Sequence, residues 1–356
     1  MSWSGFRALL IDSGYLAFYL AWGDGNRRRD AWRDQHAALA PPLRSLVGLF
    51  LCGEPVASEE AVALLGPEIN ARLHAAGVIR TRDGYTESNG FTLVAVRSLL
   101  IFCQDGMNPA VYFGRDSLAL GLFQGRRDGG RTLDLCAGGG IQAMLAAQFA
   151  RESHAVEANS TAIALARLHL ELNGLAGRVT LHQARVEEFA PEPLGHFDLI
   201  TFNPPLIPLP PALPLAVVSD GGPDGLDVTR AILRRYAASL APGGAFEFIG
   251  LGLGRDGVPT FVEQFSQDVL GYAVEGFVTL YGREPLTLDA PLYRKLLVQL
   301  TLCHRLPAEI CHAICDYHWE RLAANEWCLF FAHLRPGPTQ RLQVHDIAQD
   351  CCNWFR

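Results

Sequence analysis

An excess of basic residues is missing from this chain of 356 residues: 30 lysines and arginines face 37 aspartates and glutamates, the formal charge is −7, and the only basic run is Arg27-Arg28-Arg29. Phosphate neutralisation supplies most of the affinity of a nucleic-acid binder, so this balance argues against an RNA or DNA partner. A disulfide pattern is missing too. The nine cysteines are odd in number and irregularly spaced, and the first residues lack the basic, apolar and small-residue order of a secretory leader. A reduced, cytoplasmic protein is expected. The opening apolar run, Ala8 to Trp22, is interrupted by Asp12 and Gly14 and is too short to span a bilayer. A helix packed on the body is expected there, and no membrane partner. Repeats of roughly 20 to 50 residues are absent, and low complexity is confined to the proline-rich patch Pro204 to Pro214. Nothing in the sequence sets the oligomeric state.

What is present is apolar sequence in two arrangements. Hydrophobic residues make up 49% of the chain, enough for a sizeable core and two domains. From Leu43 the order is helix (LRSLVGLFLC), helix (SEEAVALL, capped by Ser58 and stopped by Gly66-Pro67), helix (EINARLHAAG), then strands around a turn at Asp83-Gly84. This order suggests a helical, winged-helix-like domain over residues 1–105. From Arg131 apolar strands alternate with amphipathic helices (RTLDL, HAVEA, VTLHQ, FDLITF, GAFEFIG), which implies a mainly parallel sheet covered on both faces. A Rossmann-like α/β domain is expected over 106–356, with a helical insertion at about 285–325 before the last strand, WCLFFAHL.

The chemistry should lie at the carboxyl ends of these strands. In RTLDLCAGGGIQAMLAAQ a strand ends at Asp134-Leu135 and opens into glycines, so Asp134 and Gly138, Gly139 and Gly140 are placed to line a pocket. The next strand ends in Glu157, a carboxylate able to accept hydrogen bonds from both hydroxyls of a ribose. In FDLITFNPPLIPLPP a strand runs straight into Asn203-Pro204-Pro205. Two prolines stiffen the chain there and give the Asn203 side chain a definite direction.

The glycine turn, the acid after the following strand and the NPP step resemble the class I methyltransferase family. The likeness is to its small-domain group, whose fourth strand ends in N-P-P-aromatic and which includes protein-glutamine and ribosomal guanine N-methyltransferases. SDGGPDGLDVTRAILRRYAASLAPGGAFEFIG and VTLYGREPLTLDAPLYRKLLVQL resemble later blocks of the family, so the likeness runs from about Leu43 to Pro336. It implies a seven-stranded sheet with S-adenosylmethionine (SAM) held by Asp134, Gly138, Gly140 and Glu157 and no metal. VYFGRDS, with Tyr112, Gly114, Asp116 and Ser117, would close over the methionine end. The Asn203 amide and the Pro204 carbonyl would accept hydrogen bonds from the target nitrogen. A sulfonium is a good leaving group, so the protein's main task is to aim a nucleophile.

Two residues depart from the pattern. Leu206 stands where the family has an aromatic, so no π-face is offered to a planar acceptor. Arg185 stands where many relatives have an acid near the adenine, leaving Glu187, Glu188 or backbone for that contact. Asp220 and Asp224 in SDGGPDG read either as contacts to a substrate amine or as a solvated turn. CHRLPAEICHAICDYHW gathers Cys303, His304, Cys311, His312, Cys315 and His318 but no paired C-x-x-C, so a buried helix face is favoured over zinc. The helix EINARLHAAG carries only Arg72 as a firm positive charge, which favours a lid or wall over a nucleic-acid reader. The leading expectation is a SAM-dependent enzyme that N-methylates a small metabolite or an amide nitrogen. One alternative is cyclisation of SAM to azetidine-2-carboxylate with release of methylthioadenosine, Asn203 and Tyr112 orienting the amine and the sulfonium. A binding module without turnover is the other.

Overall fold

The computed structural model describes residues 1–22, 29–104, 109–215, 219–337 and 342–348. Its opening apolar run is two helices rather than one, because Gly14, at φ +84°, ends Trp3–Asp12 and lets Tyr15–Trp22 set off in a new direction. Arg27 and Arg28 of the basic run lie outside the described residues, as does the expected domain boundary after residue 105. Helix Leu43–Val47 continues as a π-turn to Cys52 and is followed by strand β1 (Val56–Ala57). The next two expected helices are the two halves of Ser58–Ala75, broken at Gly66, whose φ of +71° and ψ of +153° are not helical. Ser58 is not the cap. Ala57 occupies that position, and Ser58 Oγ instead accepts from Thr86 Oγ1 at 3.2 Å, tying the helix to the sheet.

Strands β2 (Ile79–Arg82) and β3 (Tyr85–Ser88) turn through Asp83 and Gly84, at φ +51° and +81°, the positive pair that a two-residue hairpin of matching twist requires. They join β1 in a three-stranded sheet, while β4 (Phe91–Val96) and β5 (Leu99–Gln104) form a separate hairpin.

The alternating half forms the sheet its pattern demands. Strands β6 (Arg131–Leu135), β7 (Glu152–Glu157), β8 (Val179–Gln183), β9 (Phe197–Phe202), β10 (Leu240–Gly254), β11 (Val274–Pro285), β12 (Glu326–Pro336) and β13 (Leu342–Asp346) lie in the order β13-β11-β12-β10-β9-β6-β7-β8. β8, β7, β6, β9 and β10 are mutually parallel, and β12 inserts antiparallel between β10 and β11. The seven expected strands are present, and β13 adds an eighth, parallel to β11 at the edge. Helices Ile141–Ala147 and Ser160–Leu172 cover one face, in a core continuous with Phe6, Phe50 and Phe102 of the N-terminal part. Helices Asp227–Tyr236 and Phe261–Gly271 cover the other.

β10 overhangs its neighbour. β9 ends at Phe202 opposite Phe248, yet β10 runs on to Gly254, paired with β12 as far as Glu326. The expected insertion, helices Pro291–His304 and Ala308–Arg321, packs on this overhang through Tyr293, Trp319 and Trp327 together with Leu251 and Leu253. Among the described residues no helix is long and apolar enough to cross a membrane.

Candidate functional site

Strand order reverses between β6 and β9, and the crevice beyond the carboxyl ends at such a reversal is where open sheets of this kind bind ligands. The glycine turn leaves β6 there. Cys136, Gly138 and Gly140 have φ of +55°, +51° and +79°, and Gly140 caps helix Ile141–Ala147. Gly139 is glycine for lack of room, since a Cβ would stand 2.7 Å from Val111 Cγ1 and 3.2 Å from His169. A Cβ at Gly138 would meet nothing within 4 Å, so the turn faces open space on that side.

His169 holds this turn and no sequence signal singled it out. Its Nδ1 donates to Gly139 O at 2.9 Å and its Nε2 accepts from Phe102 N–H at 2.9 Å. The two contacts fix the Nδ1–H tautomer. Burial pushes its pKa down to about 4 against the opposing pull of the Gly139 and Phe102 contacts, so the ring is neutral at neutral pH. A fully buried ring between backbone groups of two distant segments looks, in sequence, like any other histidine on a helix.

The two expected acids part company. Glu157 sits at the crevice, accepting from Gly138 N–H at 2.8 Å on Oε2 and from Asn159 N–H at 2.8 Å on Oε1. Each oxygen keeps a lone pair for another donor. Asp134 lies beneath the turn rather than on its ligand side. It is 2% exposed, with Oδ1 accepting from Thr201 Oγ1 at 2.8 Å and Oδ2 from Ala143 N–H at 3.1 Å. It braces β9 and the helix after the turn. Desolvation raises its pKa to about 7 in spite of those two donors.

On the β9 side, Asn203 Nδ2 donates to Asp116 Oδ2 at 2.9 Å and to Ser117 Oγ at 3.2 Å. Its Oδ1 is buried and has no hydrogen-bond partner. Asp116 Oδ1 accepts from Tyr112 OH at 2.8 Å, and a Cβ at Gly114 would fall 1.9 Å from that hydroxyl oxygen, so a larger residue there would displace the Tyr112 phenol. Tyr112, Gly114, Asp116, Ser117 and Asn203 are therefore one cluster, at the start of helix Arg115–Phe123. Pro204, buried, follows directly. Gln142 Nε2 donates to Ser117 O at 2.8 Å and links the cluster to the glycine-turn helix, a tie that leaves no signature in the chain's pattern.

Other candidates are spent elsewhere. Leu206 is half-buried and packs both against the insertion core and against Ala119, Leu120 and Tyr281. Asp220 accepts from Gly222 N–H at 2.9 Å and Leu215 N–H at 3.3 Å, and Asp224 is paired with Arg230 at 2.6 Å, so both carboxylates hold their own loop. Arg185 and Glu187 form an exposed pair at 3.4 Å on the loop after β8, with Glu188 exposed beside them. Cys311 and Cys315 are buried in the insertion core, while His304 and His318 donate to Pro214 O and Pro223 O, both at 2.9 Å. Among the described residues no group of three or more His, Cys, Asp or Glu side chains is arranged to hold a metal ion.

Comparison with known proteins agrees with this geometry. Residues 102–249 match the family model described as methyltransferase small domain. The strand order and glycine turn of the matched region are those of the class I methyltransferase fold, and the region includes the glycine turn, Glu157 and Asn203 and begins inside β5. The chain is 37% identical over 155 residues to a ribosomal protein uL3 glutamine methyltransferase of Bradyrhizobium diazoefficiens, covering 41% of this chain and 48% of that protein. It is 33% identical over 125 residues to a tRNA1(Val) (adenine(37)-N6)-methyltransferase of Pasteurella multocida, covering 34% and 50%. The chain thus spans about half the length of these curated relatives. Among solved structures, Trm5b of Pyrococcus abyssi aligns at TM-score 0.41 and 15% identity, over 72% of this chain and 62% of that one.

Proposed function

We propose that the chain is a SAM-dependent N-methyltransferase whose acceptor is an amide nitrogen or the amine of a small metabolite. One observation carries the reading: the Asn203 side-chain oxygen is buried and unpartnered at the carboxyl end of β9. An acceptor left so costs about 1–3 kcal/mol, and a donor N–H from a bound acceptor would relieve it. The family match and the two relatives named above support the same class of reaction.

The residues fit the cofactor. Glu157 has a spare lone pair on each oxygen, and the open side of Gly138 leaves room beside it. Glu157 and the backbone of Gly138 to Gly140 would hold SAM, which supplies when bound a methyl group on a positively charged sulfur. The chain's own part is alignment. Asn203 Oδ1 accepts an N–H of the acceptor and so directs the nitrogen lone pair, and the prolines after it restrict its backbone. Asp134 supports the glycine turn from below, and Phe102 buttresses it through His169.

The test is calorimetry of SAM and its demethylated product, followed by mass spectrometry of extracts incubated with methyl-labelled SAM. Asn203→Ala should lower turnover about a hundredfold and leave SAM affinity nearly unchanged. Absence of SAM binding would remove the reading and leave the binding module without turnover. One observation favours a second reading. Leu206, half-buried against two cores, has no aromatic face on which a planar acceptor could stack, which suits a reaction needing SAM alone. In cyclisation the SAM α-amine attacks its own γ-carbon, the N–Cγ bond forming as the Cγ–S bond breaks, giving azetidine-2-carboxylate, methylthioadenosine as the leaving thioether, and a proton. Methylthioadenosine formed by protein and SAM with nothing else present would establish that reading in place of the first.

A further inference from the structure

An asparagine amide has two orientations related by a half-turn, and its neighbours decide between them. At Asn203 one neighbour decides. Ser117 Oγ can give or take a hydrogen, but the Asp116 carboxylate, 2.9 Å from Asn203 Nδ2, can only accept. The half-turned amide would set its oxygen against that carboxylate and point its N–H groups towards the acceptor. Asp116 is itself pinned, by Tyr112 OH at 2.8 Å and by its place in the first turn of helix Arg115–Phe123, where the helix dipole favours an anion. Buried Tyr281 lies close by, its phenol pushed up by burial first and by the Asp116 charge second. The outcome is the orphaned Oδ1 of Asn203, turned away from the carboxylate.

We propose that Asp116 is a positioning residue: its carboxylate, clamped by Tyr112, locks the Asn203 amide so that only the carbonyl oxygen faces the acceptor. The assignment rests on the function proposed above. It narrows the substrate class to acceptors that donate a hydrogen bond from the reacting nitrogen, and it moves Asp116 from holding SAM to aiming Asn203.

Kinetics and a reaction-independent measurement test it together. Asp116→Ala should lower kcat about tenfold or more with SAM affinity within about threefold of wild type. Asp116→Asn, whose carbonyl can still take the Asn203 N–H, should recover part of the loss. Asp116→Ala added to Asn203→Ala should produce no further fall, because a residue that acts through Asn203 has nothing left to act on. Multiplying losses would overturn the proposal. The side-chain amide hydrogens of Asn203 in 15N spectra, identified by their absence in Asn203→Ala, should exchange slowly in wild type and Asp116→Asn and much faster in Asp116→Ala, where only the Ser117 contact is left. Fast exchange in the wild type refutes the lock whatever the reaction is. Protection lost on Asp116→Ala, in a protein that methylates no acceptor, supports the lock and removes the proposed function instead.

Discussion

His169 offers the sharpest test of how the glycine turn is held, through the pH dependence of stability. Its pKa falls from an ordinary 6.5 to about 4 on folding. A depressed pKa means that the unfolded chain takes the proton first, so the stability His169 confers is complete above pH 6.5 and drains as the pH falls towards 4. For these values the loss between pH 7 and pH 5 is about 2 kcal/mol. Asp134 works the other way. Its pKa rises from 3.8 to about 7 on folding, so its contribution is greatest below pH 3.8 and is lost as the pH climbs through 7. Over the same interval it returns about 2 kcal/mol. The wild-type profile between pH 5 and 7 should therefore be nearly flat in these two contributions, and flatness alone proves nothing. The difference from a variant isolates the histidine. His169→Gln cannot titrate and leaves Gly139 O or Phe102 N–H unpaired, at about 1–3 kcal/mol at pH 7. Urea denaturation at pH 7, 6 and 5 should show the gap between wild type and His169→Gln closing by about 2 kcal/mol. Parallel profiles would refute a neutral buried ring as the tie between Gly139 and Phe102.

Asp134→Asn gives the mirror image: it should turn the nearly flat wild-type profile into one that rises by about 2 kcal/mol from pH 5 to pH 7, and a profile that stays flat would place the compensating group elsewhere. Glu157→Ala should weaken SAM binding at least tenfold by calorimetry, through the loss of a carboxylate acceptor, with turnover at saturating SAM much less affected; the opposite pattern would show the roles of Glu157 and Asn203 to be exchanged. Gly139→Ala forces a Cβ to 2.7 Å from Val111 and should cost about 1–3 kcal/mol. Val111→Ala in the same chain should recover part of that in thermal denaturation, and no recovery would mean that the obstacle is not Val111.

What could be read in advance followed from patterns that physics forces into sequence. Alternating apolar strands and amphipathic helices have one way to pack, and a glycine turn after the first strand has one place to be, so the sheet, the crevice and the exposure of Glu157 were legible. β13 was not, because Leu-Gln-Val-His-Asp is mostly exposed at an edge and carries no apolar run. Asp134 shows the limit at the site. Its place at the end of β6 could be read, but whether its carboxylate turns up to a ligand or down to Ala143 N–H depends on the helix packed behind it. Leu206 is similar: its identity was a departure from the family, and its reason lies in two cores assembled from residues far along the chain. Asp220 and Asp224 were left between two roles because Asp-Gly turns look alike until Arg230 is brought beside them.

The region that matches the family model starts at residue 102, inside a strand whose hairpin partner, β4, lies before it, and Asn173 pairs with both the N–H and the C=O of Leu100 at 2.8 and 2.7 Å. A cut at that border would split a hairpin and take away Leu100, which holds the end of helix Ser160–Leu172 through Asn173. Recombination could not readily have joined the N-terminal part to the enzyme as a ready-made block at that seam. The overhang of β10 and β12 is the opposite case: its helices enter and leave through one end of the sheet and leave the glycine turn untouched. Insertions and exchanges among relatives should therefore have their breakpoints at the overhang, near residues 285 and 326, and the N-terminal half should descend as one inherited piece with the glycine turn.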